Sequence, residues 1–167
     1  DDRLLGYFGA DKLFGESGDD FLHGMHGKDE ITGGTGNDTI RGGHGHDEIF
    51  GGTGSDWIWG GIGRNTVDAG GGDSLTDSVY VPVDSVQNYD NGNPNGTNAD
   101  LLQNLGIEDR VFMHGDGITN ASLTFSSTIF GGNQGIGIYA NGTLEALVTR
   151  NFTSDQVDAM TTGGFFA

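Results

Sequence analysis

The sequence predicts an all-β fold: a flattened right-handed parallel β-roll, or β-helix, followed by a β-rich C-terminal capping region with a short terminal helix. Three observations predict it. From Gly6 the chain divides without insertion into the nonapeptides GYFGADKLF, GESGDDFLH, GMHGKDEIT, GGTGNDTIR, GGHGHDEIF, GGTGSDWIW and GGIGRNTVD. The eighth place is always aliphatic: Leu13, Leu22, Ile31, Ile40, Ile49, Ile58, Val67. The first and fourth places are always Gly, and Asp holds the sixth until Asn65 replaces it. A fixed short period marks stacked repeats. A disordered Gly/Asp tail would need no aliphatic column.

Each unit reads as a turn followed by a strand. Six residues with two fixed glycines make a tight turn, because Gly accepts positive φ. The three residues after it, such as Thr39-Ile40-Arg41, are expected to be extended, with the middle one pointing inward. Two nonapeptides make one coil. Residues 18 apart then stack at the inter-strand spacing of roughly 4.8 Å. The leading segment DDRLL fits the last five places of one more unit.

Stacking sets the Asp side chains in two ladders. Asp2, Asp20, Asp38 and Asp56 lie along one edge. Asp11, Asp29, Asp47 and then Asn65 lie along the other. Carboxylates this close cannot all stay ionised without a cation between them. Turn carbonyls face the same gap. An all-oxygen cage suits Ca²⁺, which takes about 6–8 ligands at roughly 2.3–2.6 Å, better than the smaller Mg²⁺.

Composition agrees. Asp and Glu number 24 against 7 Lys and Arg, a formal charge of −17. That excludes a nucleic-acid backbone as partner and disfavours anionic lipid. It favours divalent cations, which relieve the self-repulsion. The chain has no Cys, so disulfides and thiolate metal sites are excluded. No apolar run is long enough for a membrane span. The start at Asp1, with no signal-peptide pattern, fits a fragment or a protein exported by another route.

Over residues 1–68 these units closely resemble the RTX (repeats in toxin) nonapeptide G-G-x-G-x-D-x-U-x, a calcium-binding β-helix repeat. The resemblance implies a parallel β-roll, a secreted protein and type I secretion. It also implies a ligand set. In such rolls the earlier turn gives its Asp and the carbonyls of its second and fourth residues. The turn one coil later gives its Asp and the carbonyls of its first and third. One implied site is Tyr7, Gly9 and Asp11 with Gly24, His26 and Asp29. The next is Glu16, Gly18 and Asp20 with Gly33, Thr35 and Asp38. A third is Met25, Gly27 and Asp29 with Gly42, His44 and Asp47. The fourth is Gly34, Gly36 and Asp38 with Gly51, Thr53 and Asp56. About four complete Ca²⁺ sites are therefore expected. Three further positions are incomplete. The Asp2/Asp20 pair lacks the start of its first turn, and Asp47/Asn65 loses a charge. By count, Asp56 meets Ser74, with Asp68 and Asp73 nearby. Tyr7, Glu16 and Met25 stand where the family has a second Gly.

The roll is expected over residues 1–77 and the flanking region over 78–167. Residues 78–100 read as a strand and a polar Asn/Gly loop. Leu102 to Leu105, Glu108-Asp109 and Val111-Phe112 are similar to the segment that closes many RTX rolls. SLTFSSTIF, QGIGIYA and TLEALVT read as strands joined by GGN and NG turns. Thr153 is a candidate N-cap for a short helix over 154–160. The final Gly-Phe-Phe-Ala reads as a strand or as part of an export signal.

The outward places of one sheet hold Phe21, Thr39 and Trp57 in one file, and His23, Arg41 and Trp59 in the next. His26 and His44 are expected to stack, with His46 and Lys28 beside them. No Ser/His/Asp elbow, HExxH or phosphate loop is present. The expected function is a non-catalytic Ca²⁺-binding module, folded outside the cell. Two alternatives stand beside it. One is a surface or adhesive module binding a glycan or protein through exposed aromatics. The other is the non-catalytic part of a secreted protease, lipase or polysaccharide-modifying enzyme. The partners expected are Ca²⁺, an upstream domain of the parent protein and, under the adhesive reading, a glycan or surface partner.

Overall fold

The computed structural model describes residues 1–70, 75–82, 100–105, 109–114, 123–130, 133–140, 143–149 and 161–163. Among these residues the secondary structure is all strand, wound as a parallel β-solenoid of about four coils. Strands β1 (Arg3–Leu5), β2 (Lys12–Ser17), β3 (Phe21–His26) and β4 (Glu30–Thr35) open the series. Next come β5 (Thr39–His44), β6 (Glu48–Thr53), β7 (Trp57–Ile62) and β8 (Thr66–Asp68). Odd strands form one sheet and even strands the other, each pairing parallel with the strand one coil on. The register is Leu22↔Ile40 and Ile40↔Ile58 in one sheet, and Leu13↔Ile31 and Ile31↔Ile49 in the other. This is the stacking the nonapeptide period predicts.

The eighth-place column is the core. Leu22, Ile31, Ile40, Ile49 and Ile58 are fully buried between the sheets. Each contributes roughly 1.5–3 kcal/mol by leaving water. One detail differs from the sequence expectation. The full strands are six residues long, not three. Pairing resumes past the first-place Gly, as in Met25↔Gly43 and His26↔His44. The second and third turn places therefore belong to the sheet.

The fourth-place glycines are required by this close stacking. Gly27 and Gly45 have φ of 140° and 147°. A Cβ on Gly27 would run into the carbonyl oxygen of Gly9, and one on Gly45 into that of Gly27. At the second place the three exceptions adopt left-handed backbone: Tyr7, Glu16 and Met25 have φ of 71°, 69° and 76°.

Both sheets run on past residue 77. Strand β9 (Ser78–Pro82) pairs parallel with β7, and β10 (Asp100–Gln103) with β8. Strand β11 (Arg110–His114) then pairs with β9. Strands β12 (Leu123–Phe130), β13 (Asn133–Ala140) and β14 (Thr143–Val148) form an antiparallel run. It joins the even sheet through β14 and β10, while β15 (Thr161–Gly163) joins the odd sheet beside β11. The core extends accordingly through Val67, Val79, Leu102 and Val111 to Ile138 and Leu147. The helix expected over 154–160, the loop over 83–99, Asp73, Ser74, Glu108 and the final four residues lie outside the described residues.

Candidate metal centre

The sixth-place Asp immediately precedes each strand, and its backbone is held on both sides. Its carbonyl accepts the first N–H of the strand one coil on, as Asp20 does from Thr39 and Asp38 from Trp57, both at 2.8 Å. Its N–H donates to Oδ1 of the Asp one coil later. The distances are 2.9 Å for Asp11 to Asp29, 2.8 Å for Asp20 to Asp38, 3.0 Å for Asp29 to Asp47 and 2.9 Å for Asp38 to Asp56. Asp2 begins the series by donating to Asp20. These are the two ladders expected from the sequence, each rung fixed by a side chain-to-backbone bond.

The second carboxylate oxygen tells a different story. Oδ2 of Asp11, Asp20, Asp29, Asp38 and Asp47 is buried and accepts no hydrogen bond. A buried carboxylate oxygen without a donor is costly. Each borders a cradle at the first-place Gly, five residues earlier. A Cβ on Gly6 would lie 2.8 Å from Asp11 Oδ2 and 2.7 Å from the Gly24 carbonyl oxygen. On Gly15 it would lie 2.6 Å from Asp20 Oδ2 and 2.5 Å from the Gly33 carbonyl oxygen. Gly24 and Gly33 repeat this with Asp29 and Gly42, and with Asp38 and Gly51. Carboxylate and carbonyl oxygens thus converge with no donor between them. A hard cation fits such a donor set.

Several of the other carbonyls named for the cation already accept backbone hydrogen bonds. Those of His26, Thr35, His44 and Thr53 each accept the N–H of Gly9, Gly18, Gly27 and Gly36 respectively, at 2.8–3.0 Å. The Tyr7 carbonyl accepts the His26 N–H at 3.0 Å. A carbonyl has two lone pairs, so one remains at each. Among the described residues no three His, Asp or Glu side chains gather as a metal-binding group. A cation between turns would therefore take its carboxylates in pairs and the rest of its shell from carbonyls. The stacked rings of His26 and His44, 4.8 Å apart, do not supply such a group.

Electrostatics point the same way. Burial pushes the Asp47 carboxyl from 3.8 up to about 6; the Asp29 N–H bond pulls it down and the Asp29 charge pushes it up. Burial also raises Asp38, with repulsion from Asp20 and Asp19 adding to it. Asp38 and Asp47 therefore resist carrying their negative charge unless a cation balances it.

Asn65 shows what happens when the carboxylate is replaced. Its Oδ1 accepts the Asp47 N–H at 3.0 Å, so the rung survives. Its Nδ2 donates to the carbonyls of Gly61 and Gly63, at 3.2 and 3.4 Å. Those are the second and fourth carbonyls of its own turn. An amide N–H thus reaches the same class of carbonyl that the resemblance assigns to the cation in other turns.

Sequence reasoning missed the continuation of both ladders. Asp56 donates to Asp77 and Asp77 to Asp109, both at 2.9 Å. Asn65 donates to Asp100 at 2.8 Å. Asp77 therefore takes the place that counting assigns to Ser74. Asp68 is engaged elsewhere, accepting from Gly70 at 3.0 Å and Asn104 at 2.7 Å. A signal was present: Asp77-Ser-Val-Tyr, Asp100-Leu-Leu-Gln and Asp109-Arg-Val-Phe all keep the D-x-U-x half of the repeat. A further ladder was also missed, at the fifth place. Asp19, Asn37 and Ser55 donate their N–H groups to Asp1, Asp19 and Asn37, at 3.0, 2.7 and 2.9 Å.

Fold and site together define a parallel β-solenoid whose coils are pinned by buried Asp ladders. The family model of the RTX calcium-binding nonapeptide repeat (4 copies) matches residues 1–27, 23–56 and 45–75. The match to the RTX calcium-binding nonapeptide repeat thus runs over residues 1–75. A search of curated proteins gave no match.

Proposed function

We propose that this chain is a non-catalytic Ca²⁺-binding module that winds up on meeting Ca²⁺ outside the cell. One observation carries the reading: buried Asp oxygens without donors, each facing a carbonyl of the next coil. Ca²⁺ would be held by Asp11 and Asp29, Asp20 and Asp38, Asp29 and Asp47, and Asp38 and Asp56. Turn carbonyls of the residues named above complete each shell. The ion neutralises the ladder charge and bridges successive coils.

Where Ca²⁺ is scarce, a charge of −17 and a buried row of carboxylates oppose winding. The chain then stays extended and suits export. Where Ca²⁺ is abundant, each site adds RT ln(1 + [Ca]/Kd), about 2.7 kcal/mol at a hundredfold excess. Shared Asp residues link neighbouring sites, so winding is steep. The β12–β14 run supports a capping role. It lays buried Ile136, Ile138, Ala146 and Leu147 beyond the last coils and covers an edge that would otherwise invite association.

Far-UV circular dichroism during Ca²⁺ titration of EDTA-treated protein tests this, with Mg²⁺ as control. A cooperative gain of β signal with Ca²⁺ alone is expected. A complete β signal in EDTA would overturn the reading.

A further inference from the structure

The two sheets present opposite chemistry. Strands β1, β3, β5, β7, β9 and β11 contain no Asp or Glu, in a chain with 24. They carry Arg3, Arg41 and Arg110, three of its 7 basic residues. Strands β2, β4, β6, β8 and β10 each contain at least one acidic residue.

An open groove of about 430 Å³ crosses β3, β5 and β7 on the acid-free sheet. This lies within the roughly 300–1,000 Å³ of small-molecule sites. One wall is His23, Arg41 and Trp59. Met25, Gly43 and Gly61 form the neighbouring file, and the two glycines leave the backbone open to a ligand there. His26, His44 and Ile62 close the far side.

The aromatic end is a stack of packed rings. Trp59 stacks on Tyr80 at 6.0 Å and Tyr80 on Phe112 at 4.7 Å. Trp57 packs edge-on against Tyr80 and donates its Nε1–H to the Tyr80 hydroxyl at 2.7 Å. At the other end the Arg41 guanidinium lies 5.8 Å from the centre of the Phe21 ring, and Arg3 lies 5.3 Å from it. His23 lines the groove in the same file as Arg41 and Trp59.

We propose that this groove binds an acidic polysaccharide, a chain of sugar rings bearing carboxylate or sulfate groups. The apolar face of a sugar ring packs on a preformed aromatic platform. The guanidinium takes an anionic group bidentately, and the imidazoles exchange hydrogen bonds with hydroxyls. A purely apolar partner would leave Arg41 and three imidazoles unmet. A nucleic acid is the competing polyanion, and the oligonucleotide control separates the two. The groove takes its residues from three successive coils, so the proposal rests on Ca²⁺-driven winding.

Calorimetric titration of the Ca²⁺-loaded chain with tetragalacturonic acid and with a heparin-derived tetrasaccharide tests it. Both are too short to gel with Ca²⁺. Cellotetraose and a single-stranded oligonucleotide serve as controls. The chain's 2 tryptophans, Trp57 and Trp59, both lie on this sheet, so their fluorescence is a second readout. Saturable binding of at least one acidic sugar is expected, with little for cellotetraose. Arg41→Gln and Trp59→Ala should each weaken it by roughly tenfold or more while the Ca²⁺-dependent dichroism stays as in the parent chain. Four results overturn the proposal: equal binding of cellotetraose, preference for the oligonucleotide, indifference to both variants, or no sugar response from a chain with its β signal formed. Sugar binding by a chain already wound in EDTA would overturn the Ca²⁺ reading alone. A chain that never gains β signal and binds no sugar would overturn both.

Discussion

The nonapeptide region and the strands after it share one ladder but differ in their turns. From Asp11 to Asp56 every rung spans 18 residues, and the glycines let turn stack on turn. Beyond, the rungs from Asp56, Asn65 and Asp77 span 21, 35 and 32 residues. The D-x-U-x pattern still opens each strand region, and the Asp still pins the coil before it. The Asp and the aliphatic residue therefore hold a coil in register. The glycines serve only where turns stack directly. This explains how the sheets continue where the repeat fades.

The strongest way to break this comparison is to remove an Asp from each region. Asp38→Ala strands the Asp20 N–H, at a cost of roughly 1–3 kcal/mol. It also takes a carboxylate from two proposed Ca²⁺ sites. The Ca²⁺ midpoint of the dichroism titration should rise by roughly tenfold or more, since each tenfold is about 1.4 kcal/mol. Asp109→Ala strands the Asp77 N–H, with a similar cost of roughly 1–3 kcal/mol in denaturant unfolding. It should leave the Ca²⁺ count of the nonapeptide region unchanged. Equal effects on that count would merge the two regions.

Asn65→Asp should sharpen the boundary between them. It exchanges the amide that reaches Gly61 and Gly63 for a second carboxylate oxygen. Equilibrium dialysis should then count one more Ca²⁺ per chain, and without Ca²⁺ the variant should be less stable than its parent.

Acidity is expected to act less strongly. The Asp47 carboxyl is raised from 3.8 to about 6 in the folded chain, so the fold prefers it protonated. Its contribution to the metal-free roll is full below pH 3.8 and is lost as pH rises through about 6. In EDTA the β signal should therefore be greater near pH 4 than at pH 7.5, and Asp47→Asn should flatten that dependence. A metal-free β signal that grows toward neutral pH would contradict this.

The smallest effect concerns the early turns. Glu16 holds φ of 69° where later units have Gly. Glu16→Gly should relieve roughly 1 kcal/mol of left-handed strain, seen as a small rise in thermal midpoint with Ca²⁺ present. Gly34→Glu, whose Cβ would meet the Glu16 carbonyl, should lower it.

The strand alternation, the Ile column and the regular rungs were legible because each depends on an unbroken nine-residue count. The length of the strands was not, because pairing through Gly43 and His44 depends on how closely the coils approach. At the ladder's edge, Asn65 reads from sequence as a lost charge. Only its neighbours show that its amide finds two carbonyls instead.

By itself, then, the sequence determined the parallel coils, the aliphatic core and the buried Asp columns of the RTX repeats. Period and residue type suffice for these, because each coil repeats its neighbour. Tertiary structure decided which Asp residues carry the ladders onward, since strand pairing sets register across insertions of unequal length. It also decided that Tyr80 and Phe112 would join Trp59 in one stack on the acid-free sheet. Those rings come from strands separated by unequal segments, and only the sheet aligns them.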